Sequence, residues 1–470
     1  MTTPGDVAAD GAVVARAPNV IYEGDTVICQ TSDGRMFFQE MKKDQTIRVG
    51  KKLTPLRPVI GARYGAIFEE QNKKLVRVQG GLFPDPVAPE TGEGFVPASD
   101  NRTYADTNTA QKLSTSAIAN MRESGATGKE IIQRLVENSE TWGAKTEFSK
   151  QKYLKKKQQK YMPRVQFLKC TAESLCRTYR LKNPLKTCNL REDSLGQMLV
   201  YANVFAGAQV LVVDTCMGLV IGAIAERQAG HGRILAGYEG QQPSVDILRR
   251  FNFDKRTHES IKYFSFKDVA NLAVLETDVV EPPLAPPRDG LTPAEREAAM
   301  VARLAGFTAD QRKRYEAKKA RNQVNKVKRE PAAVVREWVR AKSDALVVAS
   351  SYDPERVLLA LLPYLACSKP FVVYSEYLEP LTRAFSTLHA ISAVIDLQLS
   401  ETWTREQQVL PGRTHPEMTM SACSGYLLTG IKIHELPPSL TALKHSLEPA
   451  DDADDAQPRA KKLKVEEAES

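Results

Sequence analysis

From about 165 to 280, and again from 343 to 436, short unbroken apolar runs alternate with helical patterns, and this alternation constrains the fold more than any other feature. Val210-Leu-Val-Val213, Ile234-Leu235, Leu346-Val-Val-Ala349 and Phe371-Val-Val-Tyr374 are such runs. A strand without polar alternation must be covered on both faces, and helices between successive strands supply the cover. The expected result is an α/β domain with a parallel sheet, placed at 165–440. Between its halves, Glu281-Pro-Pro-Leu-Ala-Pro-Pro287 opens a basic insertion at about 281–342. Helices are expected to start there at Thr292-Pro-Ala-Glu295 and Thr308-Ala-Asp-Gln311, each a threonine followed three residues later by a side chain that can close a capping box.

The region 18–95 has a different pattern. Thr26-Val-Ile-Cys-Gln30 and Met36-Phe-Phe38 flank Asp33-Gly34, a pair that signals a tight hairpin with positive φ at both turn positions, and Gly50, Gly61 and Gly65 punctuate the chain beyond it. A small β-barrel-like domain is expected, ending in the Pro-rich and Gly-rich stretch from Pro84 to Gly94. Residues 96–164 are expected to form a linker and a basic helical connector. Its helices start near Ser114 and at Thr127-Gly-Lys-Glu130, the second burying Ile131, Ile132, Leu135 and Val136. The stretch 441–470 is too poor in apolar residues to fold alone and is expected to be a disordered tail. Its cluster Pro458-Arg-Ala-Lys-Lys-Leu-Lys464 resembles a nuclear-localisation signal, so a nuclear location is expected.

The first place to test for chemistry is the strand at Val210–Val213 with the turn and helix after it. A cofactor-binding half-sheet begins with such a unit, its strand ending in an acid followed by alternating glycines, because only glycine lets the backbone approach the ligand closely. This segment reads Asp214-Thr-Cys-Met-Gly-Leu-Val-Ile-Gly222. Cys216 and Val220 stand at the first and third glycine positions, Gly218 alone remains, and a β-branched valine crowds the approach. A helix packed on a strand without a ligand is the better account. The six histidines show no H-E-x-x-H spacing, and no G-x-S-x-G or G-x-x-x-x-G-K-[ST] motif occurs. The seven cysteines are scattered without a C-x-x-C pair, which favours reduced thiols over a disulfide framework or zinc cage. No catalytic, cofactor-binding or metal-binding residue is therefore nominated in this chain. Asp214 and Glu226 could be tuned acids, but isolated carboxylates are usually solvated or paired. No apolar run approaches the roughly 20 residues needed to span a bilayer, so no membrane partner is expected.

Sixty-five Lys and Arg against 57 Asp and Glu give a net charge of +8, and the excess is clustered. Lys150 to Arg164 holds seven basic residues and no acid. As a helix it groups Lys152, Lys155, Lys156 and Lys160, with Tyr153, Lys157 and Tyr161 on a neighbouring stripe. Clustered ammonium groups suit phosphate neutralisation, and tyrosines can stack on bases or anchor the helix to its own protein. A second run, Arg312 to Arg329, has nine basic residues but also Glu316.

Several stretches are similar to one family, the non-catalytic subunit of eukaryotic tRNA (adenine(58)-N1)-methyltransferase. They are Asp100-Asn-Arg102 leading to Gln111-Lys-Leu113, Thr146-Glu-Phe148 through Tyr161, Leu195-Gly-Gln-Met-Leu199, Pro370-Phe-Val-Val-Tyr374, Leu399-Ser-Glu-Thr-Trp403, and Gln408-Val-Leu-Pro-Gly-Arg-Thr-His-Pro416. The resemblance implies a small N-terminal β domain and a C-terminal Rossmann-like methyltransferase fold with a degenerate cofactor site. It also implies a heterotetramer of two such chains with two catalytic subunits, with tRNA lying across both and S-adenosylmethionine held by the catalytic partner. Where the catalytic relative carries an aspartate, after the strand resembling Asp344-Ala-Leu-Val-Val348, this chain has Ala349, and the ribose-binding acid falls near Tyr238, one position from Glu239. Carried over by the resemblance, tRNA contacts fall on Asn101, Arg102 and Gln111, on Lys152, Tyr153, Lys155, Lys156, Lys157, Lys160 and Tyr161, on Lys182, Lys186 and Asn189, and on Arg405, Arg413 and His415.

Three functions remain open at this level: an RNA-binding scaffold subunit, a methyltransferase with an unusual pocket, and an adaptor whose Rossmann-like domain is purely structural. Cofactor binding by the chain alone would mark the second. Support of methylation by a partner would separate the first from the third.

Overall fold

A computed structural model of the chain describes residues 16–83, 111–139, 142, 146–240, 242–266, 300, 306–308, 311–312, 315–316, 330–409 and 414–436. The tail, the Thr292 helix start and most of the basic insertion lie outside them.

The small domain is built on β1 (Thr26–Thr31), β2 (Met36–Glu40), β5 (Ile67–Gln71), β6 (Lys74–Val78) and β7 (Arg164–Lys169), in the order β2-β1-β7-β5-β6, with every neighbouring pair antiparallel. A separate hairpin of β3 (Thr46–Val49) and β4 (Lys52–Pro55) sits beside it. The turn at Asp33-Gly34 joins β1 to β2 as expected, but only Gly34 takes a positive φ, +86°, and its N–H bonds the Thr31 carbonyl at 2.9 Å. This is the looser hairpin in which an ordinary turn is followed by a left-handed glycine, not the two-residue form. One domain boundary also moves. The sequence places the start of the second domain at 165, yet β7 is the central strand of the small sheet, pairing with β1 on one side and β5 on the other. An apolar strand suits either sheet; only its long-range partners decide.

Among the described residues, three helices connect the domains: α1 (Thr115–Glu123), α2 (Gly128–Glu137) and α3 (Glu147–Tyr161). Both halves of the capping box at Thr127 and Glu130 are present, and Ile131, Ile132 and Leu135 pack with Leu154 and Tyr161 in one cluster.

The large sheet comprises β8 (Gln209–Asp214), β9 (Arg233–Tyr238), β10 (Ile261–Ser265), β11 (Ala345–Ala349), β12 (Lys369–Ser375), β13 (Val394–Trp403) and β16 (Cys423–Lys432), in the order β10-β9-β8-β11-β12-β16-β13. The first five strands in that order are parallel, and β16 is antiparallel between β12 and β13. Among the described residues, helices α4 (Ala172–Lys182), α5 (Glu192–Tyr201), α6 (Leu219–Gln228) and α7 (Lys255–Ser260), together with α8 (Ala332–Arg340), α9 (Pro354–Leu361) and α10 (Leu378–Ala390), belong to this domain. The odd and even residues of β8 enter two different apolar clusters, one on each face, as an unbroken apolar strand requires. This is the expected Rossmann-like arrangement. The order of strands reverses between β8 and β11, and crevices at such switch points are where doubly wound sheets hold their ligands. No helix among the described residues is long and apolar enough to cross a membrane.

Candidate cofactor crevice and nucleic-acid interface

Asp214 ends β8 at the switch point. One of its carboxylate oxygens accepts the N–H groups of Cys216 (2.6 Å) and Gly218 (3.4 Å), and the other those of Val220 (2.9 Å) and Ile221 (3.0 Å). The amides that begin a helix have no partner within it and make a ready anion site. Here they face the protein's own carboxylate. Burial pushes the Asp214 carboxyl up to about 6, against the pull of these amides.

Space closes in the same direction. Gly218, at φ +82°, is the residue before α6, and a Cβ there would lie 3.2 Å from the Cα of Val245. The Val245 segment is tied down by Ile247, whose N–H bonds the Met217 carbonyl at 3.0 Å. Cys216, Val220 and Ala349 are fully buried, and the Cys216 thiol lies 3.7 Å from the Ala349 carbonyl. Glu239, after β9, lies near Tyr352, whose phenol is raised by burial and by that carboxylate. Glu226 accepts the Ala172 N–H at 2.8 Å at the start of α4. The residues do not fit a cofactor of the kind this architecture takes in that crevice. Both candidate acids serve as helix caps, and no group of three metal-ligating side chains occurs among the described residues.

The expected nucleic-acid residues separate into exposed cations and anchored side chains. On α3, Lys152, Lys155, Lys156 and Lys160 are exposed, and Lys157 is half-buried with its ammonium 4.9 Å from the Tyr153 ring. Tyr161 is only 8% exposed within the connector's core, and Tyr153 packs edge-on against Trp142 at 5.8 Å. Burial therefore corrects the stacking role for Tyr161: of the two uses open to the tyrosines, the structure takes anchoring. Gln111 is pinned likewise, donating to the Leu135 carbonyl at 3.0 Å and the Tyr153 hydroxyl at 3.5 Å. Lys182 and Lys186 are exposed, whereas the Asn189 amide is engaged by Glu376. Arg405 is exposed just before a short paired ribbon, β14 (Gln407–Gln408) with β15 (His415–Pro416), and His415 is exposed within it. Asn101, Arg102 and Arg413 lie outside the described residues.

Most of these stretches meet. Gln159 of α3 donates to the Ser32 carbonyl at the tip of the β1–β2 hairpin, and Lys182 lies 5.4 Å from the ring of Phe38 on β2. A few residues on, the Arg191 guanidinium donates to the carbonyls of Ala422 (2.7 Å) and Thr402 (3.3 Å), at the base of the Arg405–His415 arm. Trp403, 66% exposed beside that base, is a large aromatic side chain left facing outward. Strand alternation next to buried Thr402 was the available signal. The Val245 and Tyr352 contacts had none, since each joins segments far apart in the chain.

The Gcd10p family matches over residues 20–318. The tRNA (adenine(58)-N(1))-methyltransferase non-catalytic subunit trm6 of Dictyostelium discoideum is 36% identical over 424 residues, covering 90% of this chain and 81% of that protein. The Mus musculus protein of the same description is 32% identical and covers 96% of each. Among solved structures, the tRNA (m1A58) methyltransferase TrmI of Aquifex aeolicus overlays with a TM-score of 0.42 at 12% identity, over 88% of this chain and 100% of that one.

Proposed function

The chain belongs to the Gcd10p family, and from that membership we propose that it is the non-catalytic, tRNA-binding subunit of the tRNA (adenine(58)-N(1))-methyltransferase complex. In this role it supports N1-methylation of the adenosine by a catalytic partner that holds the S-adenosylmethionine. The observation that carries the non-catalytic half is the crevice: Asp214 absorbs the amides of α6, and Val245 lies against Gly218. Alanine at position 349 cannot serve as a base where the resemblance calls for a carboxylate. The exposed lysines of α3, with Lys182 and Lys186, support the RNA-binding half. We further propose that two such chains assemble with two catalytic subunits, that this chain binds no cofactor, and that Lys461, Lys462 and Lys464 direct it to the nucleus.

Methyl transfer from labelled S-adenosylmethionine to a tRNA transcript tests the reading, with this chain alone, the catalytic partner alone and the two together. Activity is expected only in the mixture. Transfer by this chain alone would overturn the non-catalytic assignment, and full activity from the partner alone would overturn the supporting one.

A further inference from the structure

The segment from Pro184 to Leu190 follows α4, carries the exposed Lys186 and lies just after the exposed Lys182. Its backbone is unusual: Cys188 at φ +50° and Asn189 at φ +53° are two successive non-glycine residues in the left-handed region. That conformation is disfavoured for a side chain such as cysteine and persists only where the surroundings impose it. Here Cys188 closes the 3-10 turn Pro184–Thr187, with the Asn189 N–H on the Pro184 carbonyl at 2.9 Å, and the crevice adds contacts from outside the segment.

Three contacts, all from the C-terminal ends of the sheet strands, hold the segment. The Tyr374 hydroxyl, at the end of β12, donates to the Cys188 carbonyl at 2.8 Å. Glu376, two residues on, accepts from the Asn189 side-chain amide. The Cys188 sulfur lies 3.8 Å from the hydroxyl of Thr215, in the turn after β8. Thr215 is itself fixed, its hydroxyl accepting the Ser351 N–H at 2.9 Å and its own N–H donating to the Ala349 carbonyl at 3.0 Å.

We propose that the crevice at the switch point now acts as a socket, which fixes the Pro184–Leu190 segment in its left-handed conformation and so sets Lys182 and Lys186 against the phosphate backbone of the bound tRNA. Tyr374, Glu376 and Thr215 are then positioning residues that touch no RNA. The proposal rests on the tRNA-binding role given above.

The test uses the full complex with its catalytic partner. Tyr374→Phe removes one hydroxyl and keeps the ring in the core, and Glu376→Ala changes a half-exposed side chain, so it decides the matter should the first variant fold poorly. Each is compared with Lys182→Ala/Lys186→Ala by the salt dependence of tRNA affinity and by hydrogen exchange at the amides of Cys188, Asn189 and Leu190. Each lysine–phosphate contact contributes roughly 0.7 to 0.9 to the slope of log affinity against log salt. The double lysine variant should therefore lower the slope by about 1.5. The socket variants should speed exchange in the segment while leaving the sheet protected, and should lower the slope toward that of the lysine variant. Adding Tyr374→Phe to the lysine variant should then weaken binding little further.

Faster exchange with an unchanged slope would overturn the proposal and leave the RNA-binding role standing, provided the lysine variant responds. No response from the lysine variant would overturn it from the other side, by removing this segment from the RNA surface. Unaltered exchange in both socket variants would mean that the crevice does not hold the segment at all.

Discussion

Gly222 and Gly196 both lie inside helices and are there for opposite reasons. A Cβ at Gly222, on α6, would come 2.2 Å from Cε2 and 2.5 Å from Cζ of Phe251. That ring is 3% exposed and stacked on Phe253 at 4.8 Å, so it has nowhere to swing. Gly222→Ala is expected to destabilise the protein by about 1–3 kcal/mol through overpacking, read as a fall in the urea midpoint. Around Gly196, in the middle of α5, nothing lies within 4 Å of the same built atom. Gly196→Ala should raise the midpoint, gaining about 0.5–1 kcal/mol from reduced backbone freedom. An equal response at both positions would mean that helix propensity, and not contact with Phe251, governs Gly222. The crowding of the crevice was legible at this scale because residue types speak for themselves: Cys216 and Val220 stand at two of the glycine positions, which needs no coordinates. What fills it was not. Val245 against Gly218, or Tyr374 on the Cys188 carbonyl, depends on which distant segments fold together.

At the scale of the element, α3 shows how one helix serves two purposes. Leu154, Gln158 and Tyr161 are buried, and Lys152, Lys155, Lys156 and Lys160 are exposed, so the helix anchors along one stripe and leaves a cationic stripe outward. No acid interrupts the run to relieve its self-repulsion. Replacing the four exposed lysines together by alanine keeps or improves helix propensity, so folding should hold. The salt slope of tRNA binding should then fall by roughly 3, and affinity with it. An unchanged slope would reassign the stripe to a merely solvated face. Elements such as α2 and the strands of the large sheet were readable because caps and apolar periodicity are local signals. The capping pattern at Thr308 and Gln311 is likewise present, each side chain bonding the other's backbone N–H. The placement of β7 was not readable, since joining β1 and β5 rather than the large sheet is decided across more than a hundred residues of chain, from Thr26–Thr31 to Arg164–Lys169.

For the whole molecule, the joint between the two domains runs through β1. Val27 and Cys29 enter the small domain's core, while Ile28, on the opposite face, enters the core of the large domain with Phe38 and Leu168 packed against the same cluster. A strand with both faces buried couples the domains by its own pleat. The coupling is sharpened by Asn252, which sits at φ +54° before α7 and behaves as a strand partner for Thr26. Its carbonyl oxygen accepts the Thr26 N–H at 2.8 Å, and its amide donates to the Thr26 carbonyl at 2.8 Å. Asn252→Gly keeps the left-handed backbone accessible and deletes both bonds, so it isolates the clamp from the conformation. The Thr26 carbonyl would retain the Cys170 thiol at 3.3 Å, leaving the N–H as the orphan. A cost of about 1–3 kcal/mol is expected. If the clamp couples the domains, calorimetry should show a transition broader than the parent's, or a divided one, and exchange at the Thr26 amide should accelerate while Ile28, paired to Leu168 in the β1–β7 ladder, stays protected. A variant that melts at a lower temperature but still in one sharp transition would place the coupling in the apolar face of β1 instead. The relative setting of α3 and Lys182 would then rest on Phe38, whose ring meets both the Lys182 ammonium at 5.4 Å and the Arg250 guanidinium at 4.0 Å.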